Sequence, residues 1–279
     1  MTHDYVRCLK DPSSKKVVLV VPGANSDIEM NHIRAVVRQA SKRGYHAIVV
    51  NPVVPPQDSV KALEIIDYRQ DHALSRSVAV TKELFGEDAQ IYAVGFSLGS
   101  NYLLKHLACH SDCQRKCGIK AAVSVSGAFD LPSTCVDIRN ATLGLYDYYV
   151  LKKFKKVFGS HRFKVQDEKP TIFSDGVLKA TNLYEFESMT RVRALGMKSA
   201  AKLLREISCN QRVLQIKAPL LILAAKDDVV TKVDRIPIDD LKKSPHALMA
   251  IYEKGGHCDF FFAKKSKRSG KTYHKEFIP

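Results

Sequence analysis

Residues 91–99 read Ile91-Tyr92-Ala93-Val94-Gly95-Phe96-Ser97-Leu98-Gly99. The first five form a short, continuously apolar run of the kind that fills a strand buried on both faces. A helix is predicted to follow from about Ser100 to Ala108. Between them lies G-x-S-x-G, the pattern of a tight strand-to-helix turn that lifts a serine hydroxyl above the end of a sheet. Such a turn holds Ser97 in a strained backbone conformation, and side chains at 95 or 99 would collide with the strand and helix. Taken alone the motif is also compatible with an ordinary turn, so its weight depends on what surrounds it.

Outward from this turn, apolar runs and helical patterns alternate. Lys16-Val17-Val18-Leu19-Val20-Val21 is a second buried strand, ended by Pro22-Gly23, and His46-Ala47-Ile48-Val49-Val50 is a third. Between these two, Ile33, Val36, Val37 and Ala40 recur at helical spacing until Gly44 stops the helix. Pro52 to Gln57 reads as a proline-rich turn, followed by a helix from about His72 to Phe85 closed by Gly86. Downstream come a strand at 121–125, a long insertion, a helix at about 199–207 and strands at 220–224 and 248–252. Strands alternating with helices imply right-handed crossovers, hence an α/β fold with a mainly parallel sheet flanked by helices. Ligands of such sheets sit at the carboxyl ends of the strands.

A serine hydroxyl is a weak nucleophile at neutral pH and needs a base, usually a histidine oriented by a carboxylate. In the chain order expected of this architecture the acid and then the base follow the serine. After Leu220–Ala225 come Lys226-Asp227-Asp228, and after Leu248–Tyr252 comes Gly255-Gly256-His257. Both partners therefore fall at successive strand ends. Asp227 and Asp228 point to opposite sides of an extended segment, so only one can face His257. Attack on a carbonyl also needs two backbone N–H groups for the oxygen that gains charge. Leu98 offers one, and Ala24, in the glycine-containing loop Pro22-Gly23-Ala24-Asn25-Ser26, offers the other.

These stretches carry a resemblance to a known group. Gly95-Phe96-Ser97-Leu98-Gly99-Ser100-Asn101-Tyr102-Leu103-Leu104-Lys105, Ser126-Gly127-Ala128-Phe129-Asp130-Leu131, Tyr184-Glu185-Phe186-Glu187-Ser188-Met189-Thr190, Ile236-Pro237 and Gly255-Gly256-His257 are similar to α/β-hydrolase esterases. That group includes the plant embryogenesis-associated proteins, bacterial YheT-like hydrolases and mammalian abhydrolase-domain lipases, and the likeness runs from Val17 to Phe262. It implies the α/β-hydrolase fold and serine-dependent hydrolysis of carboxylic esters such as acylglycerols, phospholipids or short-chain acyl esters, with no metal or organic cofactor. Carried over by position, the nucleophile falls on Ser97, the acid on Asp228 with Asp227 in reserve, and the base on His257. The chain departs from the family where Asn51-Pro52-Val53-Val54 replaces an Asn-x-Arg-Gly turn, where Val229 replaces a proline after the acid, and where Cys258-Asp259-Phe260 follows the histidine. The N-terminal hairpin and membrane anchor of longer relatives are expected to be short or missing.

The 279 residues, 45% apolar and 26% charged, suit one globular domain spanning 1–279. Residues 128–197 are too many for a simple connection and are expected to form a helical cap over the site, with a mobile basic tail at about 263–279. Within the insertion, Leu143, Tyr146, Val150, Phe154 and Val157 fall at helical spacing beside Lys152, Lys153, Lys155 and Lys156. That pattern suits a cap helix packed on the main domain, or a basic amphipathic helix resting on an anionic membrane. The formal charge is +15, with 44 Lys and Arg against 29 acidic residues, which attracts anionic surfaces without naming one. No motif interleaves aromatic residues with the basic clusters, including Lys264-Lys265-Ser266-Lys267-Arg268, so specific nucleic-acid binding is not expected.

Seven cysteines, an odd number in a chain able to bury a full core, point to a reducing compartment rather than a disulfide framework. Cys109, His110, Cys113 and Cys117 match no standard zinc spacing. No apolar run reaches the roughly 18 residues of a bilayer span, and residues 1–10 lack the apolar stretch of a secretory signal. An intracellular protein, soluble or peripherally bound to membrane, is the expectation. The alternative to an active esterase is a hydrolase fold that serves as a structural subunit of a larger assembly, suggested by the basicity and the altered loops.

Overall fold

A computed structural model describes residues 2–24, 26–51, 71–111, 118–172, 174–265 and 272–276. The proline-rich turn at 52–57, Cys113, Cys117 and the basic run beyond Lys265 lie outside the described residues. Seven strands form the main sheet: β1 (Thr2–Val6), β2 (Lys16–Val21), β3 (His46–Asn51), β4 (Gln90–Phe96), β5 (Ile119–Val125), β6 (Leu220–Ala225) and β7 (Ala247–Tyr252). Their spatial order is β1-β3-β2-β4-β5-β6-β7, and every pair is parallel except β1 with β3.

The apolar runs are continuous because alternate residues feed two different cores. On β2, Val17, Leu19 and Val21 join a cluster with α2 (Asp71–Phe85) and α3 (Leu98–Cys109). Val20 points the other way and packs with Ile33, Val36, Val37 and Ala40 of α1 (Asn31–Lys42). A strand covered on both faces has no water-facing set of positions, so it shows no polar alternation. Each parallel strand ends on the same edge of the sheet, and that edge carries residues 22–24, 97, 126, 226–228 and 253–257.

Between β5 and β6 the chain is helical: α4 (Leu131–Asn140), α5 (Leu145–Ser160), α6 (Arg162–Glu168), α7 (Ser174–Lys179), α8 (Leu183–Met189), α9 (Arg191–Ala194) and α10 (Ala200–Ile207). α5 to α8 have a core of their own around Leu151, Phe154, Phe158, Val165, Ile172 and Phe186. The buried stripe of α5 is Asp147, Leu151, Phe154 and Phe158, not the expected Leu143, Tyr146, Val150, Phe154 and Val157. Leu143 stands ahead of the helix in a 3-10 turn, which breaks the register counted from it. Asp147 enters the stripe because its carboxylate accepts a hydrogen bond from the Leu183 N–H at 3.3 Å. α11 (Ile238–Lys243) packs before β7, and where a tail was expected, β8 (Phe261–Lys265) pairs antiparallel with β9 (Thr272–Glu276).

Candidate active site

Ser97 sits between β4 and α3 with φ 50° and ψ −118°, a conformation costly for a residue with a side chain. The surroundings hold it there. A Cβ on Gly99 would lie 2.2 Å from the carbonyl oxygens of Val21 and Pro22, and one on Gly95 would lie 2.6 Å from Ser100 Cα. Only glycine lets strand, turn and helix approach this closely. Asn101, one turn along α3, donates from Nδ2 to the Ala128 carbonyl at 2.8 Å and ties the elbow to the loop after β5.

His257 comes to this point from the loop after β7, the last strand of the sheet. Its Nδ1 lies 2.9 Å from Asp228 Oδ2 and its Nε2 lies 2.9 Å from Ser97 Oγ. A carboxylate only accepts, so Nδ1 carries the proton and Nε2 is left to accept from the serine hydroxyl. Asp228 is buried and its oxygens are saturated: Oδ1 accepts from the N–H groups of Val230 at 2.8 Å and Thr231 at 2.9 Å, and Oδ2 from the Thr231 hydroxyl at 2.6 Å. Burial pushes its carboxyl up, but the hydrogen bond and charge of His257 and the donors of Thr231 outweigh that, leaving it below the usual carboxylate value.

Asp227 faces elsewhere. Its Oδ1 accepts from the N–H groups of Gly255 at 3.0 Å and Gly256 at 2.9 Å, and so shapes the turn that presents His257. Ser126, with φ 45°, braces the same turn from the end of β5: its hydroxyl accepts from the Cys258 N–H at 3.1 Å, while its carbonyl lies 3.2 Å from the Thr231 hydroxyl. Thr231 and Ser126 carry no sequence signature of these roles, except that a threonine three residues after an aspartate suits a side-chain-capped turn.

Gly23 packs against the serine, since a Cβ there would stand 3.1 Å from Ser97 Cβ. Ala24 and Leu98 line a cavity of about 490 Å³ together with Ser97 and His257. Much of its lining is apolar, from Leu131 and Ile138 of α4, Phe154 of α5, Leu183 of α8 and Ile207 of α10. Cys135, and the buried ion pair Glu187–Arg191, also face it. So does His32 of α1, its ring tilted on Phe96 at 5.0 Å. Burial lowers the His32 imidazole against the pull of Asp259, and the neighbouring His257 lowers it further. Among the described residues no group of three or more His, Cys, Asp or Glu side chains is arranged to hold a metal ion.

A nucleophile elbow at the carboxyl edge of a mainly parallel sheet, with a histidine and a carboxylate delivered from the next strand ends, is the arrangement of one class of proteins. The chain belongs to the α/β hydrolase fold family, whose model matches residues 16–264. It is 26% identical over 257 residues to the embryogenesis-associated protein EMB8 of Picea glauca, covering 88% of this chain and 53% of that protein. To a monoacylglycerol lipase of Saccharomyces cerevisiae it is 23% identical over 274 residues, covering 96% of this chain and 59% of the lipase. The chain thus spans between half and two thirds of the length of these curated relatives. Among solved structures, Est1E from Butyrivibrio proteoclasticus with ferulic acid bound superimposes with a TM-score of 0.56 at 14% identity, over 92% of this chain and 87% of that one. No helix among the described residues is long and apolar enough to cross a membrane.

Proposed function

We propose that this chain is a serine carboxylic-ester hydrolase with Ser97 as nucleophile, His257 as general base and acid, and Asp228 as the carboxylate that orients the imidazole. The observation that carries the reading is the unbroken hydrogen-bond chain from Ser97 Oγ through His257 to Asp228 Oδ2, each link 2.9 Å. Ser97 Oγ attacks the acyl carbon as its proton passes to His257 Nε2. Negative charge gathers on the carbonyl oxygen, where the N–H groups of Leu98 and Ala24 are assigned to hold it, each donor being worth about 3–4 kcal/mol. His257 returns the proton to the departing alkoxide as the C–O bond breaks, leaving an acyl-enzyme on Ser97. It then takes a proton from water, whose oxygen attacks the acyl carbon; the bond from that carbon to Ser97 Oγ breaks, His257 returns the proton to Oγ, and the carboxylic acid leaves.

The apolar walls favour an ester with a hydrocarbon acyl group, as in an acylglycerol, a phospholipid or a short-chain acyl ester. The helical insertion, residues 128–197, acts as the cap of this cavity within a single domain. The scheme uses Ser97, His257, Asp228 and two backbone N–H groups, with neither metal nor organic cofactor. A fluorophosphonate probe tests the reading: the wild type is labelled and Ser97→Ala is not. A folded wild type that takes no label overturns it.

A further inference from the structure

One edge of the cavity is formed by Tyr146, Tyr149 and Lys153 of α5, and the same helix carries an unusual surface. Leu143 is fully exposed, Leu145 is 66% exposed and Tyr148 61%. Leu143 also has φ 56°, a left-handed conformation that a leucine rarely adopts, so the turn Ala141–Gly144 holds an apolar side chain out into solvent at a cost. One to two turns further along α5, Lys152 and Lys156 are exposed and Lys153 and Lys155 half-buried. From Arg139 to Lys164 the single acidic residue is Asp147, which is buried on the inner face.

We propose that this turn and the outer face of α5 dock on an anionic lipid bilayer. Leu143, Leu145 and Tyr148 enter the headgroup boundary, and Lys152, Lys155 and Lys156 lie against lipid phosphates with their methylene stems along the apolar residues. Charge complementarity selects this occupant, because a cationic surface beside a protruding leucine turn matches a phosphate layer with hydrocarbon beneath it. A nucleic acid would satisfy the lysines and leave the leucines in water. Docking there turns the Tyr146–Tyr149 edge of the cavity toward the membrane, so that an acyl chain passes from lipid to Ser97 without crossing water. The delivery of substrate rests on the ester-hydrolase reading; the docking itself does not.

The experiment is co-sedimentation of the full chain with phosphatidylcholine vesicles, with and without phosphatidylserine, beside turnover of dissolved p-nitrophenyl acetate. Wild type and Ser97→Ala should both partition to the anionic vesicles. The triple variant Lys152→Gln/Lys155→Gln/Lys156→Gln should lose about 100-fold in that partitioning. Leu143→Ser/Tyr148→Ser should lose about tenfold on either vesicle. Both variants should hydrolyse the dissolved ester as the wild type does. Failure of the wild type to bind anionic vesicles, equal binding by the variants, or binding of duplex DNA in preference to vesicles overturns the docking. If vesicles are bound but no ester is cleaved, the hydrolase reading fails and the docking stands.

Discussion

Asp227 and Asp228, adjacent in the chain, hold different parts of the same histidine: Asp228 accepts from its imidazole at 2.9 Å, while Asp227 accepts from the two glycine N–H groups immediately before it. Asp228→Asn removes the acceptor that keeps the proton on Nδ1. Where a serine hydrolase's histidine is left in the wrong tautomer, kcat falls by about 10⁴. A fall of that order is expected here, while Asp227→Asn, which keeps a carbonyl oxygen for the glycine amides, should stay within about tenfold of wild type. The check is kcat of both variants on one short-chain ester, with folding followed by circular dichroism; a crippled Asp227→Asn beside a normal Asp228→Asn reverses the assignment.

The glycine behind the elbow gives a stability prediction. Gly99→Ala places a methyl 2.2 Å from two backbone oxygens of the β2 edge, where no flexible side chain can yield. Overpacking of this kind costs about 3 kcal/mol or more. Urea unfolding should show a clearly lowered midpoint, and the surviving folded protein should react poorly with the fluorophosphonate probe. A midpoint equal to wild type contradicts the packing described here.

Thiol chemistry inside the cavity should be slow. Burial first, and then the charge of Glu187, push the Cys135 thiol up to about 12 despite the nearby Arg191. At pH 8 only about one thiol in 10⁴ is then ionised, and the thiolate is the reactive form. Iodoacetamide should leave Cys135 unmodified in the native protein and alkylate it in urea, with the exposed Cys109 as an internal comparison. Peptide mass spectrometry reads the result, and rapid native alkylation of Cys135 would count against its described surroundings.

Asp137 fastens the insertion to the loop that follows Asp228: its Oδ2 accepts from Arg235 Nε at 2.8 Å and its Oδ1 from Lys232 Nζ at 3.0 Å. The Arg235 hydrogen bond holds the Asp137 carboxyl below the usual range, against burial, with Lys232 adding to the effect. A depressed folded-state value means stability that is complete above the unfolded value of about 3.9 and is lost as pH falls through the folded one. Asp137→Asn should therefore lower Tm by a few degrees at pH 7 and at pH 5, and the gap to wild type should close below about pH 4. Both cationic partners are substantially exposed, so the effect is modest. A gap that widens in acid would contradict this account.

The parallel strands were legible because burial on both faces leaves uninterrupted apolar runs, as in Leu220–Ala225. β1 was not, because Thr-His-Asp-Tyr-Val has no such run and is held by backbone pairing to β3 at the sheet edge. The insertion was legible as a mass of helix but not in register, since Asp147 occupies a buried position that an apolar count passes over. At the site, Ser97, Asp228 and His257 announce themselves by motif and strand-end position, and the structure brings them together. Ser126 and Thr231 do not, because Ser126 acts on the main chain of Cys258, 132 positions away, and Thr231 acts by donating to a carboxylate that only the folded turn presents to it.

The helices α5 to α8 close their own core around Phe154 and Phe158, and the chain that builds them leaves the sheet and returns to it as one uninterrupted run. Inheritance can therefore act on the two halves of the cavity separately. Exchange or drift within that run changes cavity walls such as Phe154 and Leu183, while Ser97, Asp228 and His257 stand beyond the ends of strands whose buried clusters contain no residue of α5 to α8. On the ester-hydrolase reading proposed above, substrate preference would change by rewriting a single contiguous stretch of gene, with Ser97 left in place.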